Sequence, residues 1–438
     1  MYLSSKINLS KQNYFTILLS VFPLSFIAGN MIININVILF ILSAFVIFGK
    51  ELFNLKYHLL DKLIFSFFFL ILITGIINDF HFYSIKLAWK GYFATIVKSI
   101  FFFKYLLIYL ILRFLIEKEI INLKLFFITC SLSSIFVSLD IFYQYYNGSD
   151  IFGYASNKFK LGGPFGDELI AGGYIQRFSI FSFFVIPLFY SSKFKKFLKY
   201  MIPILFIVFF VGIILSGNRM PLILFILSIF LIVLFQKQTR KYFLPFIIIF
   251  SLTFYILFSY NEKVKTNFIS FYAQITGIVE IVINKDFYNK KAPPYYKEFF
   301  TFYDTWLIHK YIGGGIKNFR YYCHTRKNID KNTKFVCNMH PHNYYLEILT
   351  ETGLVGFFII SSVFLIILYY VIYKKYFTNS NLRQNNIIVP FIFLFIVEIF
   401  PFKSTGSFFT TGTATYLFLL MGILVGLIRR DILIEKKN

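Results

Sequence analysis

Long apolar runs separated by short polar segments recur along almost the whole chain. Each run is close to the roughly 20 residues that an α-helix needs to cross the hydrocarbon core of a bilayer. The pattern therefore predicts an all-α polytopic membrane protein with about twelve transmembrane helices. The predicted spans are 14–28, 31–48, 62–78, 96–115, 124–145, 169–190, 200–216, 220–236, 242–260, 354–373, 386–402 and 409–428.

Lysine and arginine are distributed unevenly between the predicted loops. With the N-terminus inside, seven cytoplasmic segments contain 22 Lys or Arg, whereas the four short outer loops contain seven. Cytoplasmic loops of membrane proteins carry an excess of these residues. We therefore expect both termini in the cytoplasm.

The segment 261–341 is too long for a simple connection between two spans. It lies outside under this topology and carries 13 Lys or Arg against six Asp or Glu. Long loops translocate largely regardless of charge, so it does not contradict the topology. Its pattern predicts short helices near 264–281 and 296–311, in a cap packed on the bundle. Nine spans are thus expected in 1–260 and three in 342–438, with this large loop between spans nine and ten.

Composition agrees with a membrane protein. Hydrophobic residues make up 58% of the chain, with aromatic residues at 22% and a mean hydropathy of +0.70, whereas soluble domains are about 45–50% apolar. The net charge of +24 would indicate nucleic-acid binding in a soluble protein. Here no soluble basic domain is evident, and most of the cations mark cytoplasmic loops.

A tight turn, LSGNRMP at 215–221, separates two predicted spans on the outer side. Arg219 lies in it without an acidic neighbour in sequence. The planar guanidinium suits a two-pronged contact with a phosphate group. The alternative is an interfacial anchor whose charged head reaches water.

Four charged residues fall in the outer halves of predicted spans: Lys104, Asp140, Arg177 and Glu398. Charge within a membrane is costly and marks either a functional site or a compensated pair. Arg177 lies about 13 Å deep at ~1.5 Å per residue, and a structural Arg177–Asp140 pair is the alternative to a binding role. The location of all four toward one leaflet favours a cavity that opens outward.

Polar residues gather in MHPHNYYLEILTETGLVG, 339–356, immediately ahead of a span. Pro341 fits the first turn of a helix, and steps of four and three predict one inward face. That face would carry His342, Leu346, Leu349, Gly353 and Gly356. The helix dipole disfavours imidazolium at His342, which makes a neutral general base plausible; a hydrogen bond to a backbone carbonyl is the alternative. His340 precedes Pro341 and ranks second.

Upstream, YIGGGIKNFRYY at 311–322 is a glycine turn followed by Lys317 and Arg320. Cys323 and Cys337 then bracket a basic segment that begins HTRK. An extracytoplasmic location permits oxidation. We expect a disulfide that holds this segment beside His342.

These segments resemble the bacterial O-antigen ligase and O-antigen polymerase superfamily of membrane proteins. HNYYLEILTETGLVG is similar to its H-N-x-x-L…E-x-G-x-x-G signature, SGNRMP to its S-G-x-R turn, and GGGIKNF to the G-x-G…F segment of its large outer loop. The motifs cover roughly 150–360, and the topology covers the whole chain. No second signature arginine is obvious in the large loop, where Arg320, Arg326 and Lys317 compete for that role.

The resemblance implies transfer of a glycan from undecaprenyl pyrophosphate to an acceptor hydroxyl at the periplasmic face of the bacterial inner membrane. It implies no metal and no other cofactor. His342 would be the base, and Arg219 would stabilise the charge on the leaving pyrophosphate. Attack opposite the leaving group would invert the anomeric centre. The candidate contacts to pyrophosphate or glycan are Arg320, Lys317, Arg326, Arg177 and Asn343.

The sequence leaves the acceptor open, and it leaves one other class of function open. An O-antigen ligase would use the lipid A core as acceptor, which we favour slightly because one large loop follows span nine. A polymerase would use a second lipid-linked repeat, and a protein-glycosylating relative would use a protein. A flippase for the same lipid-linked glycan is a further alternative, although the chain lacks the internal repeats that many transporters show.

Overall fold

The computed structural model describes residues 9–84, 93–155, 160–190, 197–237, 239–285, 292–326, 337, 341–378 and 380–435. Its regular structure is helical, and the β contact within these residues is an isolated bridge between Ser149 and Ala155. The helices are α1 Leu9–Ser20, α2 Phe22–Ala28, α3 Asn30–Phe53, α4 Leu59–Ser84, α5 Ala94–Glu117, α6 Leu123–Asn147, α7 Ala171–Phe178, α8 Ser182–Phe189, α9 Leu198–Leu215, α10 Arg219–Phe235, α11 Phe243–Tyr260, α12 Glu262–Ile283, α13 Pro294–Trp306, α14 Phe319–Tyr322, α15 Tyr344–Ile372, α16 Ile388–Glu398 and α17 Thr411–Glu435.

Every predicted apolar run overlaps at least one of these helices. Among the described residues, eight helical segments are long and apolar enough to cross a membrane, and three further apolar helices are shorter. One of the eight, Ala171–Phe189, combines α7 and α8 across a 3-10 turn. The chain is therefore an all-α polytopic membrane protein, while the number of twelve spans stays a prediction.

The segment predicted to be the outer loop contains both of the expected helices. α12 lies close to the predicted 264–281, and α13 ends earlier than predicted, at Trp306. α12 is itself one of the eight segments that satisfy the length and hydropathy of a span. The boundary of the loop at residue 261 therefore stays a prediction.

The last helix, α17, forms the centre of the bundle. Every residue from Thr413 to Ile428 is buried, and the helix packs most extensively against α5. A helix that is apolar on all sides lies in a protein core or spans a membrane, and the burial of α17 places it in the core of this bundle. α17 is therefore the scaffold around which the other helices are placed.

A group of charged side chains joins α4, α5 and α17 near one end of the bundle. Arg113 pairs with Asp61, and each side chain is only 1% exposed. The Tyr109 hydroxyl donates to Asp61 at 2.8 Å. Glu117 lies 3.9 Å from Arg113 and 3.8 Å from Arg429. We call Arg113, Arg429, Asp61 and Glu117 the inner polar cluster; its two cations face two carboxylates.

Candidate functional site

The turn that follows α9 is bonded to the start of α7. The side chain of Asn218 accepts a hydrogen bond from the Gly172 N–H at 3.1 Å and donates one to the Leu169 carbonyl at 3.1 Å. Glycine is needed at 172 because a Cβ there would lie 2.4 Å from the hydroxyl oxygen of Ser216. These contacts hold the residue before Arg219 against the first turn of α7.

Arg219 is the first residue of α10 and is half-buried. Its guanidinium carbon lies 5.5 Å from the ring centre of Phe271 in α12, which is a cation–π geometry. Tyr295 acts on it electrostatically, and no carboxylate among the described residues does so. The predicted contact of Arg219 with an anionic ligand stays a prediction.

α7 carries Arg177 away from this turn toward α16. Five residues separate Arg177 from Gly172, a rise of about 7.5 Å. The guanidinium of Arg177 donates to the Glu398 carboxylate at 2.8 and 3.3 Å. The alternative pairing with Asp140 is wrong, because Asp140 instead accepts the Ile151 N–H at 3.0 Å, while Glu398 lies at the end of α16 beside α7.

Glu398 is fully buried and is shared by more than one partner. Lys403 Nζ lies 2.7 Å from its carboxylate, and the Tyr344 hydroxyl donates to it. Lys403 also donates to the Tyr344 hydroxyl at 2.9 Å. Burial lowers the pKa of Lys403 to about 8, although the charge of Glu398 opposes that shift. We call Arg177, Lys403, Glu398 and Tyr344 the outer polar cluster; its two cations face one carboxylate.

The sequence analysis did not single out Lys403 or Tyr344. Lys403 carries a weak signal, because it is the only Lys or Arg in the predicted loop 401–408 and follows Glu398 by five residues. Tyr344 carries none, because tyrosine occurs 32 times in the chain. Only the fold brings these two side chains to the same carboxylate.

Asn343 is the N-cap residue of α15. Its side-chain oxygen accepts hydrogen bonds from the Tyr345 and Leu346 N–H groups at 3.0 and 3.2 Å, as an asparagine N-cap does. Its amide nitrogen donates to the carbonyls of Pro401 and Lys403 at 2.7 and 3.2 Å. Asn343 therefore ties the start of α15 to the loop that supplies Lys403, and its predicted contact with substrate stays a prediction.

His342 lies just outside α15, not on it. Its φ of 54° is in the left-handed region, and the helix begins only at Tyr344. The predictions that Pro341 forms the first turn and that His342 heads a helical face are therefore wrong. The strong N-cap at Asn343 explains the difference, because it fixes the helix start after both residues.

The inward face of α15 also differs from the prediction. Leu346 and Leu349 are only half-buried, whereas Glu347 is buried. The Glu347 carboxylate accepts hydrogen bonds from the Ser407 hydroxyl and the Phe408 N–H, both at 2.6 Å. A buried carboxylate is stable only when hydrogen-bond donors surround it. Hydrophobic periodicity does not predict this face, because the donors to Glu347 are distant in sequence.

His342 is half-buried at the start of α15. Its pKa is lowered from the ordinary value of 6.5, first by burial and second by the positive charge of Lys160. A neutral imidazole accepts a proton, as a general base must. Lys160 was not singled out from the sequence, where it was counted only as a loop charge. His340 lies outside the described residues.

The two glycine motifs meet at a break in α15. Gly353 has a φ of 65° inside the helix, and a Cβ there would lie 2.3 Å from the backbone of Tyr311. The Val355 N–H donates to the Tyr311 carbonyl at 3.1 Å, and the Gly315 N–H donates to the Glu351 carbonyl at 2.9 Å. The loop thus satisfies the backbone groups that the break releases, which a buried helix requires.

Two of the candidate loop cations are exposed. Lys317 follows the glycine turn and lies close enough to Glu347 and Glu351 for electrostatic interaction. The guanidinium carbon of Arg320 lies 5.1 Å from the ring centre of Tyr321. Both cations are anchored to the loop segment that docks on α15, and their contacts with substrate stay predictions.

The third loop cation, Arg326, lies against a disulfide bond. Cys323 and Cys337 are joined, with Cα atoms 5.6 Å apart. Arg326 is buried and donates to the Cys323 carbonyl at 2.9 Å. Burial lowers the pKa of Arg326, and the charge of Asp304 opposes that shift. These contacts favour a structural role for Arg326 over the predicted contact with pyrophosphate, which remains untested.

The fold is that of an integral membrane protein. Its candidate site contains Arg219 and the two cations of the outer polar cluster. A family model described as O-antigen ligase (Wzy_C) matches residues 204–361. The match includes the turn with Arg219, the predicted outer loop and the start of α15 with His342. It confirms the resemblance to the O-antigen ligase and polymerase superfamily over that region, and it indicates a glycan-processing membrane enzyme. No curated protein matches the chain.

Proposed function

We propose that this chain is an O-antigen ligase-like glycosyltransferase. It would transfer a glycan from undecaprenyl pyrophosphate to a hydroxyl of the lipid A core, at the periplasmic face of the bacterial inner membrane. The observation that carries the proposal is a continuous series of contacts. Asn218, beside Arg219, binds the start of α7; Arg177 on α7 pairs with Glu398; and Glu398 binds Tyr344, two residues after His342.

The charge of the outer polar cluster supports a pyrophosphate ligand. Arg177 and Lys403 share the carboxylate of Glu398, so the cluster carries one positive charge in excess. A buried charge is costly unless it is compensated. Together with Arg219, this excess would stabilise the negative charge that develops on the leaving pyrophosphate.

His342 would act as the general base of the transfer. The acceptor hydroxyl gives its proton to the imidazole while its oxygen forms a bond to the anomeric carbon of the glycan. The bond from that carbon to the phosphate oxygen breaks, and undecaprenyl pyrophosphate leaves with the electron pair. Attack from the opposite face inverts the anomeric centre. The reaction balances without a metal or a redox partner.

The distribution of Lys and Arg supports the periplasmic location. The predicted cytoplasmic segments contain 22 of these residues against seven in the four short outer loops. Arg219, Lys403 and the start of α15 all belong to the outer side under this topology. A periplasmic site also agrees with a disulfide between Cys323 and Cys337.

The experiment uses the purified protein in proteoliposomes with a defined undecaprenyl-pyrophosphate-linked glycan. Lipid A core is supplied as acceptor in one sample and omitted from a second. We expect glycosylated lipid A core in the first sample only. Longer lipid-linked glycan in the second sample would instead identify a polymerase. Movement of the donor between leaflets without a new glycosidic bond would contradict the proposed transfer and identify a flippase.

The same distinction can be made in cells. A strain without a ligase accumulates long lipid-linked polymer that is not attached to lipid A. A strain without a polymerase accumulates lipid A that carries a single repeat. We expect the first result when this gene is deleted.

A further inference from the structure

Three prolines lie together in the part of the helix bundle remote from Arg219. Pro187 lies inside α8, Pro203 inside α9, and Pro245 in the first turn of α11. Proline inside a helix removes a backbone hydrogen bond and bends the helix. A cavity of about 370 Å³, lined by all three prolines, lies where these helices meet α10. Its volume is within the range of roughly 300–1,000 Å³ that is usual for ligand pockets.

The cavity is apolar along its walls and polar at one end. Its walls include Leu188, Phe206, Ile232 and Ile249, one from each of the four helices. Gln236, Thr239 and Lys241, which also line it, come from the turn between α10 and α11. The polar groups therefore lie together at a helix end, where a membrane protein meets the lipid headgroups.

The turn beside the cavity is strongly basic. Lys237, Arg240 and Lys241 occur within five residues and are all exposed. The Gln236 side chain donates to the Tyr376 hydroxyl at 2.6 Å, which fixes the turn to the π-helical segment that follows α15. Basic residues at a membrane surface attract anionic lipid headgroups.

We propose that this cavity binds one acyl chain of an anionic phospholipid, with the phosphate of the headgroup held by the basic turn 237–241. The apolar walls fit a hydrocarbon chain, and the charge of the turn is complementary to the headgroup. This site is separate from the proposed pyrophosphate site, because Ile232 is 13 residues from Arg219 along α10, a rise of about 20 Å.

The position of the cations distinguishes a phospholipid from the tail of an undecaprenyl donor. The diphosphate of that donor would be held at the Arg219 end of α10, so only the hydrocarbon end of its tail would reach this cavity. A hydrocarbon end has no charge for Lys241 to bind. A phospholipid from the nearer leaflet matches both the walls and the basic turn.

The bound chain would hold α11 to the bundle. α11 contains no buried residue, so its packing on α9 and α10 is weak in the protein alone. An acyl chain between Phe206, Ile232 and Ile249 would add apolar contact on three helices at once. The lipid would thereby order the segment that leads directly to α12, whose Phe271 contacts Arg219.

Native mass spectrometry of the detergent-purified protein tests the proposal. The protein is titrated with phosphatidylglycerol, phosphatidylcholine or undecaprenyl phosphate, and lipid adducts are counted per chain. We expect one phosphatidylglycerol to be retained in preference to phosphatidylcholine. Ile249→Trp narrows the cavity, and displacing about two methylene groups of the chain weakens retention about tenfold. The matched control Ile248→Trp changes the preceding side chain, which is 56% exposed and does not line the cavity, and should retain the lipid.

The headgroup contact has its own variant. Lys241→Gln should remove most of the preference for phosphatidylglycerol, whereas Lys50→Gln, at an exposed lysine near the end of α3, should keep it. Equal retention by Ile249→Trp and Ile248→Trp would overturn the proposal. So would retention of undecaprenyl phosphate in place of phosphatidylglycerol, unaffected by Lys241→Gln, which would identify a polyprenyl-chain site. Unaltered thermal unfolding of the Ile248→Trp control confirms that α11 tolerates tryptophan.

Discussion

The inner and outer polar clusters both pair cations with carboxylates, but in different proportions. In the inner cluster two arginines face two carboxylates, and the central pair of Arg113 and Asp61 is 1% exposed on each side. In the outer cluster Arg177 and Lys403 share the carboxylate of Glu398, and Arg177 is 17% exposed. The named charges of the inner cluster are balanced, whereas the outer cluster has one cation in excess.

The difference in charge balance distinguishes a structural network from a candidate binding site. A balanced buried network is complete, and its role is to hold α4, α5 and α17 in place. A network with an excess cation is stabilised by an added anion. A lipid diphosphate supplies that anion under the proposed function.

The largest effect on activity is expected at His342, on the outer side. His342→Ala should lower the rate of transfer by about 100- to 10,000-fold, the usual contribution of a general base, while the protein stays inserted and abundant. Product formation by purified protein in proteoliposomes measures this. His324→Ala, at an exposed histidine in the predicted outer loop, is the control and should keep near wild-type activity. Near wild-type product from His342→Ala would refute the base assignment.

The comparison between clusters predicts opposite results for two matched substitutions. Arg113→Gln leaves Asp61 buried without its cation and should cost about 3–5 kcal/mol of stability. Arg177→Gln should leave stability nearly unchanged, because Lys403 and Tyr344 still satisfy Glu398, but it should weaken donor binding. Thermal unfolding and donor titration of both variants measure this. Equal destabilisation by the two changes would show that the outer cluster is also purely structural.

A smaller effect is expected when the charge of Arg219 is kept but its geometry is changed. Arg219→Lys should reduce transfer about 10- to 100-fold, because a lysine cannot reproduce a two-pronged, charge-assisted phosphate contact. The control is Arg240→Lys, in the turn that follows the other end of α10. Unchanged turnover and donor affinity in Arg219→Lys would favour the interfacial anchor.

The smallest effect is a shift in pH dependence. The pKa of His342 is lowered below 6.5 by burial and by Lys160, so transfer should decline only when the pH falls through that lowered value and the imidazole becomes charged. Lys160→Gln removes one cause of the lowering, so the acid limb should move to higher pH. A pH–rate profile of both proteins measures this. An acid limb that stays in place, or moves to lower pH, would exclude the assigned role of Lys160.

The long helices were predictable from the sequence because a long apolar run predicts a membrane-spanning helix, and every apolar run overlaps a helix. The start of α15 was not predictable from the sequence, because Asn343 fits either a helix interior or an N-cap. Only its contacts with Pro401 and Lys403 decide between these two positions. The hydrophobic period of α15 also failed to predict its inward face. Glu347 is buried there because Ser407 and Phe408, sixty residues away, donate to it.

The motifs of the candidate site could be read from the sequence, but the contacts between its side chains could not. Arg219 and His342 were proposed from local residue pattern and spacing, and their roles stay predictions. The partner of Arg177 was not, because Glu398 is 221 residues away and Asp140 is nearer in sequence. Lys160 and Lys403 each look like an ordinary loop charge until the fold places them beside His342 and Glu398.

The central claim is that Arg219 and His342 act on one lipid diphosphate at the same membrane surface. A cryo-EM structure of the protein with bound undecaprenyl-pyrophosphate glycan tests it most directly. The account predicts the diphosphate within hydrogen-bond distance of the Arg219 guanidinium, with the His342 ring facing the anomeric carbon from the side opposite the leaving group. A diphosphate bound at the other membrane surface, or out of reach of both side chains, would contradict it.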